Sequence, residues 1–86
     1  MIKSPRLARK ILLIAEAKEK DDALPTTADD VQRLLNQKYS PDKIRRCVES
    51  LYEKQYIKAY FSGEYDFTIN KVTSAGYAFL ENKSHL

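Results

Sequence analysis

Apolar positions recur every three or four residues over the first 55 positions and then at every second residue, so the chain predicts helices followed by strands. Ser4 followed by Pro5 reads as an N-cap with proline in the first turn, and it starts the first helix. Leu7, Ile11 and Ile14, with Ala8, Leu12 and Ala15, form adjacent apolar rows. Four large aliphatics in succession, Ile11 through Ile14, cover nearly the whole circumference at about 100° per residue. One face therefore meets the core, and another needs a second element or a second subunit to cover it. This helix should fade near Lys20-Asp21, with a loop through Pro25.

Thr27 with Asp30, or Thr26 with Asp29, resembles a capping box with Asp in place of Glu. It opens a short second helix with Val31, Leu34 and Leu35 inward, ending about Gln37. After Lys38-Tyr39, the run Ser40-Pro41-Asp42 supplies cap, proline and first-turn acid for a third helix. Its core stripe is Ile44, Cys47, Val48 and Leu51, with Tyr52 on the shoulder, and Gln55-Tyr56 closes it. The period then changes to two. Ile57, Ala59 and Phe61 alternate with polar positions and Tyr60, as do Tyr65, Phe67 and Ile69 with Asp66, Thr68 and Asn70. Between these runs Gly63-Glu64 suits a two-residue type II′ turn. Thr73 caps a last helix carrying Ala75, Phe79 and Leu80. The predicted fold is mainly α with a β-hairpin: three helices, two strands and a fourth helix in one domain spanning 1–86.

Length and composition narrow the functions open to this chain. At 86 residues it is about half the ~150 usually allotted to a domain, so few side chains can be spared from structural work. One Cys (Cys47) and one His (His85) cannot supply a structural zinc site or an intramolecular disulfide, and no metal or cofactor is expected. Cys47 sits at an apolar helical position and His85 is penultimate, which disfavours Cys-His catalysis. Gly63 and Gly76 stand too far apart for a phosphate-binding glycine loop. Asp21-Asp22 and Asp29-Asp30 read as a loop entrance and a helical first turn rather than as metal ligands. No catalytic residues are predicted, and the chain does not read as an enzyme. The longest aliphatic run is far short of the ~20 residues that span a bilayer, and its basic lead-in lacks a signal-peptide cleavage site. A cytoplasmic protein without membrane contact is expected.

Two segments resemble the winged helix-turn-helix superfamily, which includes MarR-, PadR- and ArsR-like regulators. Leu51-Tyr52-Glu53-Lys54-Gln55-Tyr56-Ile57 looks like the L-x-x-x-G-Y-I passage from recognition helix to wing, with Gln55 where glycine is usual. Val72-Thr73-Ser74-Ala75-Gly76-Tyr77-Ala78-Phe79-Leu80 looks like the L-T-x-x-G-x-x-F-L segment after the wing. The second pattern and the small size are most similar to winged-helix proteins of phages and prophages of Gram-positive bacteria. The resemblance implies a DNA-binding transcriptional regulator whose third helix enters the major groove of double-stranded DNA.

Candidate DNA contacts are Lys43, Arg45 and Arg46 in the first half of the third helix, with Lys38 and Ser40 at its approach. Charge is uneven along the chain: residues 1–20 carry +4, 21–42 carry −3, 43–58 carry +3 and 59–86 carry −1. From Ala59 to Asn70 there is no Lys or Arg, only Glu64 and Asp66, which suits a phosphate backbone poorly. Arg45 and Arg46 also lie at ion-pair spacing from Glu49. These features support an alternative, a mobile-element accessory protein that uses the scaffold to bind a host protein. Glu49, Glu53, Tyr60 and Tyr65 are then candidate partner contacts, since interfaces favour tyrosine. Leu12 or Leu13 against Tyr77 and Leu80 is a candidate homodimer face.

Overall fold

The computed structural model of the protein describes residues 5–21 and 25–81. Among these the elements are α1 (Pro5–Asp21), β1 (Thr26–Thr27), α2 (Ala28–Leu34), α3 (Pro41–Glu53), β2 (Ile57–Ser62), β3 (Asp66–Val72) and α4 (Ser74–Glu81). The Ser4 cap and His85 lie outside the described residues. The strands form one antiparallel sheet in the order β1-β3-β2. The fold is thus mainly helical, with a small three-stranded sheet.

α1 lies at the centre and contacts α2, α3, α4 and the sheet. Its Leu7, Ala8, Ile11, Leu12 and Ala15 are buried against Val31 and Leu35 of the α2 region, Ile44, Cys47, Val48 and Leu51 of α3, and Ile57, Phe67, Ile69 and Val72 of the sheet. Each of the larger aliphatics contributes roughly 1.5–3 kcal/mol by leaving water. Of the run 11–14, Ile11 and Leu12 face the core, Ile14 is half-buried, and Leu13 is exposed.

Four local details differ from the sequence expectation. Thr26-Thr27, expected within the approach to the second helix, pairs with Ile69 and Thr68 as a third strand. Thr27 also serves as the N-cap of α2: its hydroxyl accepts from the Asp30 N–H, and the Asp30 carboxylate accepts from the Thr27 N–H. α2 ends at Leu34 rather than Gln37, because Asn36 and Gln37 both adopt φ of 56°. The Asn36 N–H donates to Arg33 O and the Gln37 N–H to Gln32 O, the paired bonds of a Schellman stop. The hairpin loop is three residues, Gly63 to Tyr65, instead of two, with Ser62 opposite Asp66. Finally, Ile57 opposes Val72 and Lys58 opposes Lys71, but Ala59 opposes Ile69, which leaves Asn70 as a bulge. The extra residue shifts the phase of β3, so that Ile69 and Val72 are both buried despite their three-residue spacing.

The two motif segments meet. α3 ends in another Schellman stop, with Tyr56 N–H donating to Leu51 O, Gln55 N–H to Tyr52 O, and Gln55 at φ 64°. The Thr73 hydroxyl donates to Gln55 O at 2.6 Å and accepts from the Gly76 N–H at 3.1 Å, while the Thr73 N–H donates to Tyr56 O. A Cβ on Gly76 would collide with that Tyr56 carbonyl oxygen, so a side chain there would push α4 off the end of α3. Glu19 adds a second clasp: one carboxylate oxygen accepts from the Val72 N–H and the other from the Tyr77 hydroxyl, each at 2.8 Å. The latter bond raises the Tyr77 phenol pKa above its ordinary value.

Candidate nucleic-acid interface

α3 begins where Ser40 accepts the Lys43 N–H at 3.1 Å and Pro41 occupies the first turn. Its buried stripe seats it on α1, which leaves two unlike flanks in solvent. Arg45 and Arg46, adjacent in sequence, fall on different sides and do different things.

Arg45 faces the β2–β3 hairpin and is only 16% exposed in its side chain. Its Nη1 donates to the carbonyl oxygens of Gly63, Glu64 and Asp66 at 3.0, 2.8 and 3.1 Å, and its Nε to Glu49 at 3.1 Å. The guanidinium carbon stands 4.7 Å from the centre of the Phe61 ring, which itself meets Tyr52 edge-on. A planar cation with several fixed donors is suited to gathering loop carbonyls in this way. Arg45 is therefore a peg that ties the hairpin loop to α3. Around it lie Asp42, Glu49, Glu64 and Asp66. The negative potential of Glu64, then slight desolvation and the charge of Asp42, raises the Tyr65 phenol pKa.

Arg46 points outward, with 75% of its side chain exposed, and its Nε is 3.2 Å from Asp42. On the opposite flank from the hairpin, Lys43 and Lys10 place their ammonium groups 5.8 and 5.7 Å from the centre of the Tyr39 ring. Lys38, exposed in the α2–α3 turn, immediately precedes that tyrosine. Two lysines from separate elements thus meet one aromatic ring at the entry to α3, and Lys38 lines the same groove as Lys10 and Tyr39. Of the expected DNA contacts, Lys38, Lys43 and Arg46 border this flank, Ser40 spends its hydroxyl on the cap, and Arg45 is tied to the hairpin. Lys10 and Tyr39 were not singled out by the sequence reading.

Of the expected partner contacts, Glu49, Glu53, Tyr60 and Tyr65 are all exposed, Tyr60 at 66%. The expected dimer face is divided: Leu12 and Leu80 are core residues, Tyr77 is half-buried and bonded to Glu19, and only Leu13 is exposed. Cys47 is buried, and loss of water around it pushes its thiol pKa up to about 11. Among the described residues no group of three His, Cys, Asp or Glu is placed to hold a metal ion, and no helix is long and apolar enough to cross a membrane. No protein-family model, no curated protein and no solved structure matches the chain, so its own geometry carries the functional reading.

Proposed function

We propose that the chain is a small winged helix-turn-helix protein that binds double-stranded DNA, with a role in transcriptional regulation in a phage or bacterium. The observation that carries this reading is the convergence of Lys10 and Lys43 on the Tyr39 ring, with Lys38 next to it in the turn and Arg46 exposed on the same helix as Lys43. Four cations at the entry to one helix neutralise phosphates on one side of a groove, while Arg46 exchanges Asp42 for a base edge or a phosphate. Arg45 acts as a positioning residue in this scheme, because it holds the hairpin rather than the DNA. The acidic hairpin tip stays away from the phosphates, and the duplex sits toward the α2–α3 turn. Fluorescence anisotropy on a random-sequence duplex, titrated with salt, tests the reading. Binding should weaken with a log–log salt slope of about −3.6, from four basic groups at ~0.9 each. In Lys10→Ala/Lys43→Ala the slope should become shallower by about 2. An unchanged slope in this variant, or no binding at low salt, would reject DNA as the ligand.

The exposure of Tyr60 and Tyr65 on a hairpin that carries Glu64 and Asp66 favours a second reading, a module that docks on a host protein. Recovery of one host protein by the wild type but not by Tyr60→Ala/Tyr65→Ala, with no DNA shift at low salt, would select it.

A further inference from the structure

Behind the lysine cluster a groove of about 270 Å³ opens between α1 and the α2–α3 turn. Leu13, Ile14, Leu34 and Leu35 form its aliphatic lining, and among the described residues Lys10 and Lys38 are the charged ones that line it, with no carboxylate. Leu13 and Leu34 are 43% and 51% exposed, although Leu13 belongs to the aliphatic run 11–14 and Leu34 to the apolar stripe of its helix. Two large aliphatics left in water beside a concavity mark an unpartnered surface. Its volume is below the ~300 Å³ at which drug-sized ligand pockets begin, and fits one or two side chains presented by a helix.

We propose that this groove receives an acidic amphipathic helix from another protein, whose apolar residues enter between Leu13 and Leu34 and whose carboxylates meet Lys10 and Lys38. Charge complementarity selects this occupant. A second copy related by a two-fold axis would set the same lysine-rimmed patch against itself, and like charges face to face oppose association. Duplex DNA reaching Lys10 and Lys38 from the α3 side would leave Leu13 and Leu34 uncovered. An acidic helix answers both halves of the surface. The inference does not depend on the DNA-binding proposal, although Lys10 and Lys38 belong to both surfaces.

The test uses two displayed libraries of 16-residue helices that share a randomised apolar face, one with Glu and Asp at the remaining positions and one with Lys and Arg. Each is selected on the wild-type protein and on Leu13→Ser/Leu34→Ser, whose exposed sites tolerate the change. The acidic library should enrich binders whose affinity falls at least ~10-fold on the double variant, the loss expected at an interface hot spot. Amide NMR shifts on the wild type should centre on residues 10–14 and 34–39. The proposal is overturned if neither library enriches, if the basic library enriches equally, or if the selected helices bind the double variant unchanged. A wild-type dimer by light scattering that the double variant abolishes would also overturn it, in favour of self-association. DNA anisotropy on Leu13→Ser/Leu34→Ser keeps the two surfaces apart, because the DNA-binding proposal expects no change there whatever the libraries return.

Discussion

The two exposed flanks of α3 are built from similar residues and put to different use. Toward the hairpin, charges are consumed internally: Arg45 bonds three loop carbonyls and Glu49, and the acids beside it leave the flank negative. Toward the α2–α3 turn, charges are left outside: Lys10 and Lys43 reach only the Tyr39 ring among the contacts described, and Arg46 has one exposed ion pair. An exposed pair of that kind contributes about 0–1 kcal/mol and is readily exchanged, whereas a half-buried guanidinium bonded to carbonyls is not. The two arginines are neighbours in sequence and identical in chemistry. What separates them is a 100° turn of helix.

That difference predicts opposite mutational signatures. Arg45→Ala should lose about 2–3 kcal/mol of stability, since it removes several charge-assisted bonds and leaves loop carbonyls unpaired. For a domain of this size the melting temperature should fall by roughly 10–20 °C, read by circular dichroism. A loss under ~0.5 kcal/mol would show that the hairpin does not need the peg. Arg46→Ala should cost less than about 0.5 kcal/mol of stability, the usual range for an exposed site, and weaken DNA binding instead.

A smaller effect separates the hairpin from the seating of the helix. Cys47, with its thiol pKa near 11, should resist Ellman's reagent at pH 8 in the native protein and react on unfolding in urea. In Arg45→Ala, under conditions where the protein remains folded, protection should persist if the peg holds only the hairpin. Rapid labelling there would mean that α3 itself has come loose.

Acid titration probes the other end of the helix pair. The Thr27 N–H bond first, then the Thr27 hydroxyl, Arg33 and Lys18, outweigh desolvation and hold the Asp30 carboxyl near pKa 2, below its ordinary 3.8. A depressed carboxyl pKa contributes stability that is full above the unfolded value and is lost as pH falls from about 4 toward 2. Wild type should therefore be more stable than Asp30→Asn at pH 6, and the two should converge by pH 2 in urea melts. Equal stability at pH 6 would remove Asp30 from the account of α2. The smallest change is a gain: Gln55→Gly should add about 0.5–1 kcal/mol, because glycine adopts the positive φ without the left-handed penalty.

Much of the chain was legible because its signals are local. Ser40-Pro41 marked the start of α3, Thr27 with Asp30 that of α2, and period-two alternation the hairpin. Thr26-Thr27 carries no strand signal beyond its β-branching, since its pairing with β3 depends on chain brought back from forty residues away. The ends of α2 and α3 were blurred for lack of glycine: Asn36, Gln37 and Gln55 take left-handed backbone that their identities do not announce. Arg45 was readable in part, since it lies on the same side of α3 as Tyr52 rather than opposite Ile44, but its carbonyl partners lie eighteen to twenty-one residues on. The meeting of Lys10 with Tyr39 joins positions 29 apart and has no sequence signature. Nor could spacing decide which of Leu12 and Leu13 is buried in a run of four aliphatics.

The central claim is that the turn-side flank of α3, and not the hairpin side, engages DNA. Salt-titrated anisotropy of Arg46→Ala and Arg45→Lys on one duplex tests it most directly, because Arg45→Lys keeps the charge while weakening the fork of hydrogen bonds to the loop. Arg46→Ala should make the salt slope shallower by about 0.9, and Arg45→Lys should leave it at the wild-type value. An unchanged slope in Arg46→Ala together with a shifted slope in Arg45→Lys would contradict the account.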